Sequence, residues 1–183
     1  GGLYATNNYE DALSVMEAQL PMMRRLGDSA HNILALQSNL ANTYQGLRRL
    51  EQAMLLKGKV YSGYSKLYGE QHEHTLVAAD NYAMALLELR RFEEAKRLLR
   101  KVIPVARRVL GNEHDLTLSL CEDLSRATLL DGESSAEKKR EALRTLEDTL
   151  GIMRRVLGPQ HPDTQRAQAD LEFFQREFPG PTA

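Results

Sequence analysis

Residues 81–111 read NYAMALLELRRFEEAKRLLRKVIPVARRVLG, and this stretch decides the fold class. Its second half carries one apolar stripe of a helix, because aliphatic residues recur there at steps of three and four. Those residues are Ala95, Leu98, Leu99, Val102, Ile103, Ala106, Val109 and Leu110. The first half has its own stripe through Leu86 and Leu89, and only Arg90-Arg91 interrupts the pattern. The stretch therefore predicts two antiparallel helices joined by a tight turn.

The same unit is repeated along the chain. Gly27, Gly69 and Gly111 follow one another at a constant step of 42 residues. A single hairpin leaves apolar surface uncovered and stacked copies cover it, so the period predicts a helical solenoid. The next step, from Gly111 to Gly158, is 47 residues. We therefore expect five inserted residues, at about 131–135, between the two helices of the third unit.

The period also places the helices. First-type helices, which open each hairpin, are predicted at about 29–47, 72–89, 114–130 and 161–177. Second-type helices are predicted at about 8–26, 50–68, 92–110 and 135–157, with Leu3-Tyr4 as the tail of an earlier first-type helix. Ser134 with Glu137 fits a capping box at the start of the last of these. The predicted fold class is all-α, a superhelix of antiparallel hairpins with about eight helices.

The predicted domain organisation is a single solenoid over residues 1–183 that starts and ends inside a repeat. Its parts are a partial repeat at 1–27, repeats at 28–69, 70–111 and 112–158, and the first helix of a further repeat at 159–178. Leu171, Phe174 and Phe178 would ordinarily be covered by a following helix. We therefore expect a piece of a longer solenoid, whose uncovered terminal helices associate with a cap, a partner or further chain.

Composition excludes some classes of partner. The formal net charge is -1, from 24 Lys and Arg against 25 Asp and Glu, so no overall field favours nucleic acid or an anionic membrane. A single cysteine, Cys121, cannot form an internal disulfide, which suits a reducing compartment such as the cytoplasm. The sequence has no apolar run long enough to span a bilayer. Whether a targeting segment precedes residue 1 is left open by the sequence.

Three histidines recur at one place in the repeat. His72, His114 and His161 each stand three residues after the repeat glycine. Successive repeats hold them too far apart to share a metal ion, so we interpret them as residues that start helices. The sequence contains no phosphate loop, nucleophile elbow or paired-cysteine ribbon, and we predict no catalytic residue, metal site or cofactor. Cys121 is predicted to be a buried or groove-lining thiol.

Basic residues cluster on the predicted helix at 92–110. The cluster consists of Arg97, Arg100, Lys101, Arg107 and Arg108. Glu93 and Glu94 offset part of this charge, and no aromatic residues alternate with the basic ones, as single-stranded nucleic acid would require. We interpret the cluster as a solvated helix face and predict no nucleic-acid partner.

The unit resembles the tetratricopeptide repeat in the long form found in kinesin light chains. The resemblance rests on Asn39-Leu40-Ala41, Tyr44 and Ala53, on Asn81-Tyr82-Ala83, on Phe92-Glu93-Glu94-Ala95, and on the links at 109–117 and 156–164. Period alone would also suit HEAT or armadillo units of about 40–47 residues. The small residues Ala41 and Ala53, like Ala83 and Ala95, favour the tetratricopeptide fold because they let two helices approach closely. The motor-binding coiled coil of light chains has no counterpart here, so motor function is not implied.

The resemblance also implies a ligand site. Tetratricopeptide proteins bind extended peptides in a concave groove lined by the first-type helices, at positions two, five, six and nine of each unit. The candidate groove residues are therefore Ser38, Asn39, Asn42, Val77, Asp80, Asn81, Met84, Ser119, Glu122, Asp123, Arg126, Arg166, Asp170 and Phe173. Asn39 and Asn81 would each offer a donor and an acceptor to a peptide backbone. The alternative is that the two amides bond their own helices.

Charge suggests which peptide would bind. Asp80, Glu122 and Asp123 stand against Arg126 alone in the central wall, so the groove should prefer a peptide with at least one basic residue. Met84 and Phe173 would cover an apolar side chain of the same peptide. We therefore predict a non-catalytic adaptor or scaffold. The alternative is a structural subunit packed permanently in a larger assembly, which uncovered Phe174 and Phe178 would favour.

Overall fold

A computed structural model describes residues 2–178, with side chains described from residue 8 onward. The described residues form eight α-helices and no strand. The helices are α1 (Gly2–Arg25), α2 (Ala30–Gly46), α3 (Leu50–Tyr68), α4 (Glu73–Glu88), α5 (Phe92–Val109), α6 (Asp115–Leu130), α7 (Ala136–Val156) and α8 (Pro162–Glu177). The all-α class is confirmed. From α2 to α8 the predicted helix ends agree with the structure within one or two residues, and the first-type helices are α2, α4, α6 and α8.

The helices fall into two compact units, Gly1–Leu89 with α1 to α4 and Arg90–Ala183 with α5 to α8. Within each unit, every helix packs against the next one along the chain, and in the second unit α6 also contacts α8. A single continuous solenoid domain stays a prediction.

Helix α1 differs from the expectation at its start. It is one helix from Gly2 to Arg25, so the prediction of a separate first-type tail at Leu3-Tyr4 is wrong for the backbone. The reason is that residues 3–8, LYATNN, include no glycine or proline that would end one helix before the next begins. The side chains of Leu3 and Tyr4, and Pro179-Gly180-Pro181, lie outside the described residues.

Close helix packing in the first unit depends on small residues. Ala41 of α2 and Ala53 of α3 are fully buried, as the predicted close approach of these two helices requires. On α3, a Cβ atom added at Gly63 would lie 2.3 Å from Cδ2 of Leu34 on α2. Glycine at this position therefore lets α2 lie against the backbone of α3.

A cluster of five rings joins three helices of the first unit. His31 of α2, Tyr64 and Tyr68 of α3, and His72 and His74 at the start of α4 have ring centroids 4.4–6.1 Å apart in the contacting pairs. The Tyr68 hydroxyl lies 3.1 Å from Nδ1 of His31. These rings connect the beginning of α2 and of α4 to the end of α3, which supports the stacking of consecutive hairpins.

Part of the predicted insertion lies in the connection between α6 and α7, and part of it lies in α7 itself. The connection between α6 and α7 comprises residues 131–135, whereas residues 89–91 suffice between α4 and α5. Helix α7 has 21 residues against 18 in α5, so two inserted residues lengthen the connection and three extend α7 at its start. Asp131 folds the connection by accepting hydrogen bonds from the backbone N–H of Glu133 at 3.0 Å and the Ser134 hydroxyl at 3.0 Å.

The cap of α7 corrects the predicted capping box. Ser135, rather than Ser134, is the N-cap residue, and its hydroxyl accepts from the backbone N–H of Lys138 at 3.3 Å. The hydroxyl of Ser134 instead donates to Asp131 and accepts from Nζ of Lys96. The side chain of Asp131 also holds the buried Lys96 of α5, whose Nζ lies 2.5 Å from Oδ2.

Candidate functional site

The candidate groove residues lie on first-type helices whose starts are built alike. The side chains of His72, His114 and His161 cap α4, α6 and α8, and Nδ1 of each accepts from the backbone N–H two residues later at 3.2, 3.2 and 3.3 Å. Ser29 does the same for α2 through the N–H of Asn32. The interpretation of the repeat histidines as helix-start residues is confirmed. Each cap fixes the residue at which its helix begins. It therefore also fixes which residues of that helix share one face.

The structure sorts the candidate positions by exposure. Four are exposed: Asn39, Asn42, Val77 and Phe173. Eight are half-buried: Ser38, Asp80, Asn81, Met84, Ser119, Arg126, Arg166 and Asp170. Glu122 and Asp123 are buried, at 0% and 1% exposure. The candidate set is therefore a mixture of accessible surface and supporting interior.

In the first unit, the two predicted amides differ. Asn39 is exposed on α2. The side-chain amide of Asn81 donates to the backbone carbonyl of Val77 on its own helix at 3.1 Å. An amide has a second N–H and a carbonyl oxygen, so Asn81 keeps the capacity to bind a peptide group after this bond is made.

A buried lysine behind this face was missed by sequence reasoning. Lys57 of α3 is 5% exposed, and its Nζ donates to Oε1 of Gln45 at 2.5 Å. The amide of Gln45 in turn donates to Glu88 at 2.7 Å. Burial lowers the pKa of Lys57, while the nearby carboxylates of Glu88 and Asp80 act in the opposite direction. The signal was available, because Lys57 occupies the repeat position of the fully buried Leu99.

In the second unit, charged residues of α6 and α8 meet to form what we call the α6–α8 face, which consists of Glu122, Asp123, Arg126, Asp163, Arg166 and Asp170. Arg166 donates to both carboxylate oxygens of Glu122 at 2.9 Å, and to Asp163 at 2.9 Å. Arg126 lies between Asp170, at 2.8 Å, and Asp123, at 3.4 Å. Two arginines therefore tie the two helices together.

The pKa shifts on this face reflect burial opposed by pairing. Burial raises the pKa of Glu122, and the hydrogen bonds and charge of Arg166 offset part of that effect. The hydrogen bond to Glu122 is also the main reason that the pKa of Arg166 is raised. Burial raises the pKa of Asp170 as well, against the neighbouring Arg126 and Arg166. The carboxylates thus depend on the arginines to stay ionised.

These contacts correct the expected charge balance. The sequence-based count set Arg126 alone against Asp80, Glu122 and Asp123, but Arg166 also neutralises Glu122. On the α6–α8 face, four carboxylates surround two guanidinium groups, so an acidic surplus persists. Asp163 and Asp170 are its accessible members, with side chains 36% and 25% exposed, because Glu122 and Asp123 are buried. Asp163 was not among the candidates, although its place in the first turn of α8 was evident.

The aromatic residues near the end of α8 also differ from expectation. Phe174 is 3% exposed and belongs to a core with Leu146, Leu150 and Met153 of α7. Phe178 is half-buried, and Nζ of Lys139 lies 4.8 Å from its ring centroid. The prediction that Phe174 and Phe178 are uncovered is therefore wrong, because α7 covers this side of α8. Phe173 is exposed instead, at 54%.

The described side chains give no sign of a reactive centre. Among residues 8–178, no three His, Cys, Asp or Glu side chains are grouped so that they could hold a metal ion. The predicted buried thiol is found, since Cys121 is 6% exposed, with a guanidinium nitrogen of Arg107 3.5 Å from Sγ. None of the described helices has the length and apolarity needed to cross a bilayer.

Comparison with known proteins decides the family. The model of the tetratricopeptide repeat matches residues 33–74, 75–115 and 133–163, which together make up more than half of the chain. This chain belongs to the tetratricopeptide-repeat family. A search of curated protein sequences gives no significant match. The HEAT and armadillo alternative is thereby removed.

Solved structures agree on the fold. A putative kinesin light chain of Podosopora anserina with nearly identical tetratricopeptide-like repeats is 24% identical, with a TM-score of 0.71 over 96% of this chain and 82% of that one. A variant of that protein with a single substitution is 23% identical, with a TM-score of 0.73 over 96% of this chain and 82% of that one. BtubC (BKLC) from P. vanneervenii is 14% identical, with a TM-score of 0.58 over 96% and 76%. The fold is that of kinesin-light-chain-like tetratricopeptide repeats, a family whose members are typically non-catalytic and serve protein–protein interaction.

Proposed function

We propose that the first-type helices bind an extended peptide segment of a partner protein, and that the tetratricopeptide chain acts as a non-catalytic adaptor or scaffold. The exposure of Asn39, Asn42, Val77 and Phe173, at positions where the family binds its ligands, carries the proposal. Amide side chains can pair with the backbone of any extended peptide, whatever its sequence. Val77 in the first unit and Phe173 in the second each offer an apolar contact to a ligand side chain.

The α6–α8 face supports a ligand with at least one basic residue. Its carboxylates outnumber its guanidinium groups, and Asp163 and Asp170 are accessible enough to meet a lysine or arginine. Asp80 and Met84 of α4 keep their proposed places as half-buried contacts. The proposal needs no cofactor and no nucleic acid, and it retains the cytoplasmic location that the single cysteine favours.

Titration of labelled peptides tests the proposal. Three peptides would share one phenylalanine and differ only in carrying lysine, glutamine or glutamate, and we expect the lysine peptide to bind most tightly. Replacing Asp163 and Asp170 by asparagine should weaken it about tenfold, which is about 1.4 kcal/mol. The matched control, Asp11→Asn with Glu51→Gln, removes two exposed acids from α1 and α3 and should change affinity less than about twofold. Tighter binding of the glutamate peptide would overturn the charge argument.

The rival function is a structural subunit buried in a larger assembly. Phe174 and Phe178 no longer favour this function. Helix α1 does favour it, since Val15 and Met22 on the helix and Leu26 directly after it are 65%, 47% and 75% exposed. An apolar helix face of this kind is normally covered. Size-exclusion chromatography with light scattering separates the two: a monodisperse monomer favours the adaptor, and concentration-dependent association that is abolished by Val15→Ser with Leu26→Ser favours the rival.

A further inference from the structure

The exposed side of α5 carries a stripe of positive charge, with the exposed Pro104 between its two halves. Its members, which we call the α5 stripe, are Arg97, Arg100, Lys101, Arg107 and Arg108, and all are exposed. At 3.6 residues per turn, they fall within about one third of the helix circumference, opposite the buried Ala95, Leu99 and Val102. No aspartate or glutamate occurs between Glu94 and Glu113. The stripe is therefore a surface of one sign on a chain whose formal net charge is -1.

The two glutamates that were expected to offset this charge are engaged elsewhere. Glu93 lies 2.5 Å from Nζ of the buried Lys96. Glu94 accepts two hydrogen bonds from the guanidinium of Arg91, at 2.6 and 2.7 Å. Within the part of the chain whose side chains are described, Arg97, Arg100 and Arg108 have no ion-pair partner. These three arginines can thus accept an anionic ligand without breaking an internal ion pair.

A cleft beside the stripe adds a second source of cations. It has a volume of about 240 Å³ between α5, α6 and α7, and Arg100 and Lys138 contribute its positive charge against one acid, Glu141. The hydroxyls of Ser125 and Thr128 line it but donate to backbone carbonyls of α6, so the donors left for a ligand are the guanidinium and the ammonium. Lys138 belongs to the three residues by which the insertion extends α7. The departure from the repeat therefore brings a cation to this cleft.

We propose that the α5 stripe and the cleft between Arg100 and Lys138 form a second interaction surface, which binds an aspartate- or glutamate-rich segment of a partner protein. One carboxylate of the segment enters the cleft, and the others follow the stripe. This surface shares no residue with the α6–α8 face, whose chemistry has the opposite sign. The chain would then hold an acidic segment and a basic segment at the same time, as a scaffold that brings two partners together requires.

The shape of the charged surface favours a peptide over other anions. Most of the cations belong to one helix of 18 residues, about 27 Å long, which suits an extended segment rather than the plane of a bilayer. The stripe holds no large exposed apolar residue that would enter lipid. It also lacks an exposed aromatic residue on which a base could stack, since Phe92 is buried.

The test uses a labelled Glu/Ser peptide, with its Gln/Ser counterpart as the neutral probe. We expect the Glu/Ser peptide to bind, and Arg97→Gln/Arg100→Gln/Arg108→Gln to weaken it about tenfold or more. The matched control, Arg24→Gln/Arg25→Gln/Lys59→Gln, removes three exposed cations from α1 and α3 with the same change in net charge. It should change affinity less than about twofold. An equal loss in both triple variants, or no binding of the Glu/Ser peptide at all, would overturn the proposal.

Further arms test the cleft and the class of ligand. Lys138→Gln should weaken the Glu/Ser peptide, whereas Lys139→Gln, one residue along and over the Phe178 ring, should not. Equal effects of these two variants on affinity would show that the cleft is not part of the binding surface. Phosphatidylserine vesicles and a single-stranded oligonucleotide serve as competing probes, and tighter binding of either through the same arginines would replace the acidic segment as ligand. The lysine peptide should bind the Arg97/Arg100/Arg108 variant with the same affinity as the natural chain. The proposal for the α5 stripe can therefore be wrong while the proposed function is right, and the reverse.

Discussion

Two connections between helices differ at the left-handed residue that ends the preceding helix. At the end of α1, Gly27 has φ +73°, and the N–H of Asp28 bonds the carbonyl of Met23 at 3.0 Å. At the end of α2, Arg48 has φ +60° in the same arrangement, with the N–H of Arg49 bonding the carbonyl of Tyr44 at 2.8 Å. Both are helix ends closed by a left-handed residue. Arginine is strained in that conformation and glycine is not.

Exchanging these residues should move stability in opposite directions. Arg48→Gly should raise the free energy of unfolding by about 0.5–1 kcal/mol, since the lost ion pair with Glu88 is exposed and worth little. Gly27→Arg should lower it by about 1 kcal/mol, because nothing within 4 Å crowds a new Cβ and strain alone acts. Urea unfolding followed by circular dichroism measures both. A loss of stability in Arg48→Gly would show that the side chain of Arg48 matters more than its backbone.

Asp131 makes the connection between α6 and α7 sensitive to acid. The hydrogen bond from Lys96 lowers the pKa of Asp131 to about 2, with further help from the N–H of Glu133. Because this carboxyl ionises more readily in the folded chain, its contribution is complete above the unfolded pKa near 3.8 and is lost as pH falls through about 2. The contribution is on the order of 2 kcal/mol.

Asp131→Asn should therefore destabilise the protein near pH 7 by about that amount, and the difference from the natural chain should shrink as pH falls toward 2. Urea unfolding at several pH values measures it, with Glu133→Gln in the same connection as the control. A difference that stays constant with pH would contradict the ion pair as the cause.

At the scale of the helices, periodicity made the elements predictable and left their polar contacts undetermined. The 42-residue step and the apolar stripes gave the ends of α2 to α8 within one or two residues, because caps and repeat glycines recur with the period. The pairing of Arg166 with Glu122, 44 residues apart, depends on the rotation of α6 against α8, which no local pattern contains. The same holds for Lys57, whose polar partners come from α2 and α4.

Close packing of α2 on α3 gives one prediction at this scale. Gly63→Ala should lower the free energy of unfolding by about 1–3 kcal/mol, because the new methyl group would overlap Leu34 unless that side chain moves. Gly151→Ala in α7 is the matched control, since a Cβ there meets nothing within 4 Å. The control should stabilise by up to about 1 kcal/mol through helix propensity. Thermal and urea unfolding compare the two, and a stabilising Gly63→Ala would contradict the close contact.

The ion pair between Glu122 of α6 and Arg166 of α8 gives a second prediction at this scale. Arg166→Met leaves the buried carboxylate of Glu122 without its bidentate partner and should cost about 3–5 kcal/mol at pH 7. Glu122→Met/Arg166→Met should recover most of that loss. Burial raises the pKa of Glu122, so this carboxyl is protonated more readily in the folded chain than in the unfolded one, and lowering the pH should partly restore the stability of Arg166→Met. Urea unfolding of the natural chain, Glu122→Met, Arg166→Met and the double variant completes the cycle, and additive single effects would argue against coupling.

For the whole molecule, the family could be predicted from the sequence, but the ligand could not. Repeats with Ala41 facing Ala53 specify the fold, yet accessibility decides which candidate residues can meet a partner. Glu122 and Asp123 are buried beside Arg166 and Arg126. The accessibility of Asp163, and the pairing that withdraws Glu93 and Glu94 from the α5 stripe, are known only when side chains are placed. Function in such a scaffold depends on which charges remain exposed after internal pairing.

Amide hydrogen exchange with the lysine peptide bound tests the central claim most directly, because it reports which helices a ligand protects. We expect amide exchange to become slower at the exposed turns of α2, α4, α6 and α8 when the peptide binds. In α1, α3, α5 and α7 we expect the exchange rate to stay the same as in the unbound protein. Asp163→Asn/Asp170→Asn should abolish the protection at α6 and α8 at the same peptide concentration. Protection confined to second-type helices would contradict binding by the first-type helices.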